Sequence, residues 1–422
     1  MEGVIFKLIK LLLLVLYLHN GNISIHAARH QNLIYYSLPE KRPLKKALGF
    51  IEDTYLNFTE LTNKYGYPTE QHDVITDDGY ILAVFRILPK CDGQKRGFPI
   101  ILMHGIYDSS DEWILTGPET GLGYILANNC YDVWAANHRG NVYSRRHVTL
   151  NPNKDADFWD YTFDEHGYYD VPAIVDYVLR ITQQPKVNYI GHSQGTTDFF
   201  VMGSLRPEYN NKIQMSFHLS PVAWMKNIAS PLPRLVAPAS KSIRRLLDDL
   251  GFRELFAKHQ FIHSLLEFLC QFAPDDICGE AYTAATGYKR GNISSRNLAV
   301  SFGHLFAGIS SKDLDHFGQL VATGRFQRYD YGMKENIKRY GSPIPPEYDV
   351  SKITSAVVLI SAQNDGVSSL KDVEILASKL PNLIENYLVP DPSWSHNDQV
   401  FGKKAPKIVF AKIVELLNKY NS

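Results

Sequence analysis

The chain of 422 residues has no net charge, few cysteines and none of the common metal-binding motifs. Its 44 basic and 44 acidic residues cancel, so no excess of positive charge indicates a nucleic-acid partner. Neither Cys-x-x-Cys nor His-Glu-x-x-His spacing occurs, and the sequence therefore predicts no metal and no other cofactor. Any chemistry is expected to come from the chain's own side chains.

The four cysteines differ in what their spacing indicates. Cys270 and Cys278 are eight residues apart and could close a small loop, whereas Cys91 and Cys130 follow no evident pattern. For each of them, a disulfide and a free buried thiol both fit the sequence.

Long apolar runs are also scarce, and the one that stands out lies near the start. Residues 11–18 are apolar without interruption and follow Lys7 and Lys10. The run is shorter than the roughly 18 residues that a membrane span needs, and it is typical of a secretory signal peptide. We expect residues 1–28 to be this peptide, with cleavage within about 20–28. The product is then secreted or lysosomal and has no transmembrane anchor.

Three Asn-x-Ser/Thr sequons are consistent with passage through the secretory pathway. Asn22 lies in the cleavage region, which leaves Asn57 and Asn292 as the predicted glycosylation sites. Such sequons often arise by chance, so they support secretion only weakly.

A serine between two glycines is the most informative local pattern. Residues 191–195 read Gly-His-Ser-Gln-Gly, after an apolar run at 186–190 and before residues 196–202, which open like a helix. In such a strand–turn–helix the serine takes strained backbone angles, and side chains in place of the flanking glycines would collide with the neighbouring strand and helix. The pattern predicts a nucleophile elbow at Ser193.

Strands and helices alternate on both sides of this serine. A hairpin is predicted from 72 to 87, and short apolar strands at 99–103 and 131–136 precede a helix at 169–181. Near the end of the chain the predicted elements are strands at 355–360 and 385–389 and helices at 369–380 and 405–419. This alternation indicates an α/β protein with a mostly parallel central sheet and helices on both faces.

The alternation stops between two proline-rich segments. Residues 229–238 and 342–346 are rich in proline, and helical patterns at 243–256 and 261–272 lie between them. We therefore expect one α/β core that is interrupted by a mainly helical insertion. The predicted division is 1–28 signal peptide, 29–56 N-terminal lead, 57–223 first part of the core, 224–348 insertion and 349–422 second part of the core.

Two polar residues at later strand ends complete a catalytic arrangement with the serine. Asp365 follows the strand at 355–360, and His396 follows the strand at 385–389. Reactive groups gather at the carboxyl ends of parallel strands, and the chain order serine, acid, histidine is the one expected for this elbow. His396 would take the proton of Ser193 as the serine attacks a carbonyl carbon, and Asp365 would fix the tautomer of the histidine.

Two backbone N–H groups are predicted to bind the oxyanion that this attack creates. The elbow supplies the N–H of Gln194, and the loop after the strand that ends at Met103 supplies the N–H of Ile106.

Several nearby residues have a less specific interpretation. Asp391 and Asp398 are rivals for the acid, but they lie on the loop of the histidine, from which reaching the imidazole is awkward. His104 and His192 fit structural roles, since neither has a place in the triad order. The sequence assigns no role to His138 and His166, and it leaves open whether the aromatic group Phe199, Phe200, Phe217 and Trp224 is core or part of an apolar acyl pocket.

With these residues in place, the chain resembles the acid lipase family, the gastric, lysosomal and insect lipases of the α/β-hydrolase superfamily. The resemblance runs from about Asn57 to Val414. It departs from the family pattern at Ile106, Ala136 and Asn397, where leucine, glycine and leucine are usual. The segments that carry the resemblance are 64–68, 76–82, 103–106, 131–134, 137–141, 143–145, 170–173, 189–196 and 220–223.

The resemblance implies an α/β-hydrolase fold whose helical insertion is a cap with a lid over an apolar groove. It also implies a cap disulfide between Cys270 and Cys278. The site residues that it implies are the nucleophile Ser193, the acid Asp365, the base His396 and an oxyanion hole from the N–H groups of Ile106 and Gln194.

The expected function is hydrolysis of carboxylic esters of lipids at a lipid–water interface, foremost acylglycerols, through an acyl-enzyme intermediate and without a cofactor. The first alternative is a sterol or other fatty ester hydrolase of the same mechanism. Fold alone does not fix function, so a peptidase or acyltransferase and a non-catalytic lipid-binding protein on the same scaffold are further alternatives.

Overall fold

A computed structural model describes residues 38–91, 97–257, 261–287 and 289–420. The chain divides into two units, Met1–Phe50 and Ile51–Ser422. In the first unit, the described part contains the helix Leu38–Ala47. The predicted signal peptide and Asn22 lie outside the described residues, as does the beginning of the N-terminal lead.

An eight-stranded sheet forms the centre of the second unit. The strands in chain order are β1 Thr69–Ile75, β2 Ile81–Ile87, β3 Ile100–Met103, β4 Val133–Ala136, β5 Val187–His192, β6 Ile213–Leu219, β7 Glu254–Leu255, β8 Ile309–Ser310, β9 Ala356–Ser361 and β10 Leu383–Leu388. The spatial order of the sheet is β1-β2-β4-β3-β5-β6-β9-β10, and β7 and β8 form a separate antiparallel pair.

The sheet is mostly parallel. β1 pairs antiparallel with β2, and β2 pairs antiparallel with β4. All pairs from β4 to β10 in this spatial order are parallel. This topology confirms the predicted α/β class.

Both faces of the sheet are buried under helices. Successive side chains of a strand point to opposite faces, so Val84 of β2 packs into one apolar core while Phe85 packs into another. Strands that are buried on both faces read as continuous apolar runs, which is the pattern that the sequence shows. The helices that contribute to these cores include Phe58–Lys64, Leu122–Asn128, Val171–Thr182, Gln194–Leu205, Leu370–Lys379 and Ala411–Tyr420.

Two expectations about secondary structure were wrong. Strand β6 was not expected, because Ser216 and His218 alternate with apolar residues and interrupt the apolar run. Both side chains are fully buried, and the His218 ring lies 2.9 Å from the Ser216 hydroxyl. The helix expected over 243–256 spans Ser240–Asp249 instead, and it is followed by β7.

The chain between β6 and β9 is rich in helices, as expected for the insertion. Within it the structure pairs Cys270 with Cys278, and elsewhere it pairs Cys91 with Cys130, which the sequence had left open. Every helix in the described part of the chain is too short or too polar to cross a membrane. The helices of the insertion are Pro231–Val236, Ser240–Asp249, Phe261–Phe272, Gly279–Thr286, Ser295–His304, Ser311–Thr323 and Met333–Tyr340.

A tight turn carries Ser193 between β5 and the helix Gln194–Leu205. The serine has φ +50° and ψ −116°, a left-handed conformation that side chains rarely adopt. A methyl group on Gly191 would lie 2.7 Å from the carbonyl carbon of Gly195, and a methyl group on Gly195 would collide with the carbonyl oxygen of Met103. Both glycines are therefore required by the close approach of the helix to the sheet.

Replacing Gly195 by alanine is expected to lower the free energy of unfolding by at least about 2 kcal/mol, because the methyl group would press on main-chain atoms of β3. Equilibrium urea denaturation measures the change. The control is Gly251→Asn: nothing lies within 4 Å of a Cβ added at Gly251, and asparagine tolerates its φ of +81°. The control should change stability by less than about 0.5 kcal/mol, and equal losses in both variants would contradict the argument.

Candidate active site

Ser193, Asp365 and His396 meet at the carboxyl edge of the sheet, after β5, β9 and β10. His396 Nε2 lies 2.8 Å from Ser193 Oγ, and His396 Nδ1 lies 3.0 Å from each carboxylate oxygen of Asp365. All three residues are buried, with exposed fractions of 4 to 6%. The structure thus brings the three predicted side chains into one hydrogen-bonded chain.

The carboxylate of Asp365 is held in an ionised, oriented state. Its Oδ1 accepts hydrogen bonds from the backbone N–H groups of Val367 and Ser368, each at 2.8 Å. Burial raises the pKa of Asp365, but the charge of His396 and the hydrogen bonds outweigh burial and leave the pKa below its usual value. Because an ionised Asp365 accepts from the Nδ1–H of His396, the Nε2 lone pair of the imidazole faces the Ser193 hydroxyl.

The two rival carboxylates hold the loop that carries His396. Asp391 pairs with Lys404 at 2.8 Å. Asp398 accepts hydrogen bonds from both the backbone N–H and the hydroxyl of Ser395, each at 2.8 Å. Neither contact involves the imidazole, so Asp365 is the carboxylate that orients the histidine.

The side-chain nitrogen of Asn292 is part of the same loop network. It donates to Asp398 Oδ2 at 2.9 Å and to the carbonyl oxygen of Ser393 at 3.1 Å. A glycan on this nitrogen would replace one of its two hydrogens and break at least one of these bonds. Asn57 instead uses its side-chain oxygen, which accepts from the backbone N–H of Glu60 at 2.9 Å and caps a helix.

The loop with Ile106 borders Ser193. A Cβ added to Gly105 would lie 3.2 Å from Ser193 Cβ. Gln194 is the first residue of the helix Gln194–Leu205, where backbone N–H groups have no partner within the helix. The side-chain nitrogen of Gln194 donates to Asp313 Oδ2 at 2.8 Å, which holds this residue in place beside the serine.

A buried carboxylate that was not predicted from the sequence ties the loop of Gly105 and Ile106 to the loop of His396. Glu112 Oε2 accepts the backbone N–H of Gly105 at 2.8 Å, and Glu112 Oε1 pairs with His192 Nδ1. His192 Nε2 lies 3.2 Å from the carbonyl oxygen of His396. Both ring nitrogens of His192 face hydrogen-bond acceptors. Only the protonated imidazolium form carries a hydrogen on each nitrogen and can donate to both. Burial lowers the pKa of His192, but the charge and hydrogen bond of Glu112 outweigh burial and raise it.

The position of Glu112 shows why sequence reasoning missed it. It lies at the end of the polar run 108–112, which looks like a solvated loop. Only the fold shows that all five residues of this run are buried. His104 also has a structural role, because its Nδ1 lies 2.8 Å from the carbonyl oxygen of Gly105 and its Nε2 lies 3.0 Å from Asn141 Nδ2.

The aromatic residues beside the site differ from those that the sequence singled out. Phe199, Phe200, Phe217 and Trp224 are buried in the two apolar cores. A separate aromatic group, formed by Tyr107, Phe256 and Phe306, lies next to Ile106 and is only partly buried. Ring centroids are 4.9 Å apart for Tyr107 and Phe256 and 5.4 Å apart for Phe256 and Phe306. All three members have positive φ angles of 57 to 67°, a concentration of strain that is typical of functional sites.

The sheet topology, the turn at Ser193 and its histidine and aspartate partners define the class of the protein as an α/β-hydrolase. The family model described as alpha/beta hydrolase fold matches residues 99–403, and the model described as partial alpha/beta-hydrolase lipase region matches residues 58–117. A soluble variant of monoglyceride lipase from Saccharomyces cerevisiae is similar in structure, with a TM-score of 0.51 at 16% identity over 85% of this chain and 98% of that one.

Curated relatives narrow the class to a family. Lipase 3 of Drosophila melanogaster is 39% identical over 360 residues, which cover 84% of this chain and 91% of the relative. The gastric triacylglycerol lipase of Bos taurus is 36% identical over 368 residues, which cover 86% of this chain and 91% of the relative. The chain belongs to the acid lipase family of carboxylic-ester hydrolases.

Replacing Glu112 by glutamine is expected to lower kcat for ester hydrolysis roughly tenfold, the equivalent of one charge-assisted hydrogen bond, because Gly105 and His192 lose their shared anion. KM should change by less than about twofold, since the Glu112 side chain is buried against Gly105 and His192. Steady-state kinetics on a soluble ester measure both constants. Glu119→Gln makes the same change at an exposed position of the next turn, and equal kinetics in the two variants would refute the role of Glu112.

Proposed function

We propose that the protein hydrolyses carboxylic esters of lipids, foremost acylglycerols, through an acyl-enzyme intermediate on Ser193. The observation that carries the proposal is the 2.8 Å contact between His396 Nε2 and Ser193 Oγ, backed by the bond from His396 to Asp365. A serine hydroxyl is a weak nucleophile until a base removes its proton. The relative named gastric triacylglycerol lipase supports acylglycerols as the ester class.

In the proposed first half-reaction, Ser193 Oγ attacks the ester carbonyl carbon while His396 takes the serine proton. Asp365 stabilises the imidazolium that forms. The carbonyl oxygen becomes an oxyanion, to which the backbone N–H groups of Ile106 and Gln194 donate. The carbon–oxygen bond to the alcohol then breaks, and His396 returns the proton to the departing alcohol.

The second half-reaction repeats these steps with water. His396 takes a proton from a water molecule as its oxygen attacks the acyl carbon on Ser193. The same N–H donors stabilise the second oxyanion. When this intermediate collapses, the proton returns to Ser193 Oγ and a carboxylic acid is released, so the enzyme regains its initial state.

The helical insertion, residues 224–348, is the proposed cap. Its backbone borders the site on two sides. The N–H groups of Ala229 and Ser230 donate to the carbonyl oxygen of Gly366, next to Asp365, at 2.9 and 2.8 Å. On the other side, the N–H of Ala307 donates to the carbonyl oxygen of Tyr107 at 2.8 Å. These contacts support a cap that extends from the neighbourhood of Asp365 to the loop that holds Ile106 and Tyr107.

The aromatic group of Tyr107, Phe256 and Phe306 is the proposed wall of the acyl pocket. It combines Tyr107, which follows Ile106, with two residues of the cap, Phe256 and Phe306. Its members are partly buried, and all their surface except the hydroxyl of Tyr107 is apolar, which suits a fatty acyl chain better than a peptide or a charged substrate.

Two cap helices, Pro231–Val236 and Ser240–Asp249, carry the surface that we propose to contact the lipid–water interface. Their exposed leucines include Leu235 at 56% and Leu246 at 57% of full exposure. Large apolar side chains that cluster on a surface mark interaction sites, and an ester that is insoluble in water must be taken from such an interface.

We also propose that the protein enters the secretory pathway and is secreted or lysosomal. Its two disulfides, Cys91–Cys130 and Cys270–Cys278, are expected in an oxidising compartment. Asn57 is the preferred glycosylation site, because the nitrogen of Asn292 is engaged in the histidine loop.

The nucleophile is tested with Ser193→Ala in assays of acid release from esters of increasing chain length. We expect kcat to fall about 10⁶-fold, as in other serine hydrolases that lose the nucleophile. An alkyl phosphonate should modify the wild-type protein at Ser193, as located by peptide mass spectrometry, and should leave Ser193→Ala unmodified. Equal acid release by both forms would exclude this mechanism.

The acid is tested in the same assay by a matched pair of isosteric changes. Asp365→Asn should lower kcat about 10⁴-fold, because the imidazole loses its tautomer control. Asp391→Asn removes a carboxylate from the histidine loop without touching the imidazole, and it should retain activity within about threefold of wild type.

The interface surface is tested with the double variant Leu235→Asp and Leu246→Asp. We expect activity on emulsified long-chain esters to fall about tenfold or more, because charged groups oppose insertion of the two helices into the lipid surface. Activity on a soluble short-chain ester should stay unchanged. Ile337→Asp places a charge on an exposed apolar position of another helix, Met333–Tyr340, and an equal loss there would contradict a localised surface.

A further inference from the structure

Three buried side chains converge behind Gln194. His138 lies in the loop after β4, His166 in the π-helical segment His166–Asp170, and Asp198 in the helix Gln194–Leu205. His138 Nε2 is 2.6 Å from Asp198 Oδ2, and His166 Nδ1 is 3.7 Å from Asp198 Oδ1. One nitrogen of each imidazole and one oxygen of the carboxylate all lie within 4.8 Å of one another.

Some of these polar groups lack hydrogen bonds. His138 Nε2 and Asp198 Oδ2 face each other at 2.6 Å, but Asp198 Oδ1 and His166 Nε2 have no hydrogen-bond partner among the described residues, although both atoms are buried. The two imidazole rings stack face to face, with centroids 4.6 Å apart and planes at 6°. Buried polar atoms without partners are rare and costly, and two of them beside a close contact between a carboxylate and an imidazole indicate that a ligand belongs there.

The charges at this point favour a cation. Asp198 is paired with no lysine or arginine in the described part of the chain. A neutral imidazole keeps a lone pair on one ring nitrogen. A carboxylate with two neutral imidazoles is a donor set that binds zinc and similar ions.

We propose that His138, His166 and Asp198 form a binding site for one divalent transition-metal ion of the zinc class. The ligand atoms are an imidazole nitrogen from each histidine and a carboxylate oxygen. A small cavity beside them, lined in part by His104 and Asp313, leaves a place for a water molecule as fourth ligand. The ion would link the loop of His138, the helical segment of His166 and the helix of Asp198, which come from distant parts of the chain.

The neighbours of the three ligands fit this assignment. His104 lies against His138, with ring centroids 4.1 Å apart, but both of its nitrogens already have partners, so it is not a ligand. Gln194 Nε2 lies 2.9 Å from His166 Nδ1. When the ion takes that nitrogen, the amide of Gln194 keeps Asp313 Oδ2 as its acceptor at 2.8 Å.

The site is separate from the proposed hydrolytic chemistry. The nucleophile and the base, Ser193 and His396, contribute no ligand atom. The ion therefore has a structural role, in which it holds the helix that begins at Gln194 against the loop of His138. A lipase that needs no metal for its chemical step is compatible with this site.

The test is metal binding by the mature protein. After removal of metals with EDTA, equilibration with Zn²⁺ and desalting, elemental analysis should find about one Zn²⁺ per molecule in the wild type. Asp198→Asn and His138→Gln should bind Zn²⁺ at least about 100-fold more weakly, because each removes one of three ligands. The matched control is His218→Gln, which changes a buried imidazole outside the group and should retain the wild-type zinc content.

Two further readouts use the wild-type protein alone and do not depend on how the variants fold. Co²⁺ in place of Zn²⁺ should give the visible absorption bands of a low-coordinate ion with nitrogen and oxygen ligands. Saturating Zn²⁺ should raise Tm, because a ligand that binds only the folded state stabilises it. A wild type that takes up no Zn²⁺ or Co²⁺ would overturn the proposal and leave a buried ion pair. Equal zinc content in wild type and Asp198→Asn would also overturn it.

Discussion

The close approach of the helix Gln194–Leu205 to the end of β3 is the constraint on which the site depends. The helix begins so close to β3 that a methyl group at Gly195 would collide with the carbonyl oxygen of Met103. This close approach is possible because the chain turns within one residue, Ser193, at the end of β5. The same turn gives Ser193 its left-handed backbone and directs its hydroxyl toward the edge where β9 and β10 also end. Parallel strands bring residues that are far apart in the chain to this edge. The turn then places Ser193 Oγ beside the residues that follow β9 and β10.

Electrostatics around this edge divide into two kinds. Asp365 with His396 and Glu112 with His192 are close pairs of acid and imidazole, in which the partner's charge and hydrogen bonds offset the cost of burial. The Glu112–His192 pair reaches the Asp365–His396 pair through the carbonyl oxygen of His396, and the two imidazole rings have centroids 5.1 Å apart. Its hydrogen bonds to Gly105 and His396 hold the two loops together. Asp198 also lies close to an imidazole, with His138 Nε2 2.6 Å from its Oδ2, and it has no lysine or arginine partner in the described residues. It contacts His138 and His166 rather than either of the first two pairs, and we assign this third group to a metal ion.

The fold class and the three residues Ser193, Asp365 and His396 were predictable because their signals are local. The elbow around Ser193 is a short motif with a steric cause. Strands of continuous apolar residues are recognisable in the sequence, so the positions where they end, and where Asp365 and His396 follow, are recognisable too. Strand β6 was not predictable by the same means. Its buried His218 and Ser216 contact each other, and that contact, rather than apolar periodicity, makes the polar positions acceptable inside the sheet.

The sequence by itself determined the alternation of strands and helices in the core, the strained turn and the positions of Ser193, Asp365 and His396, since each is encoded by neighbours in the chain. Tertiary structure alone decided which acidic residue faces which histidine. Glu112 reaches His192 across 80 residues, and His138, His166 and Asp198 lie on three separate elements. Such contacts depend on how segments pack across the sheet. The distance between two residues along the chain does not indicate whether that packing brings them together.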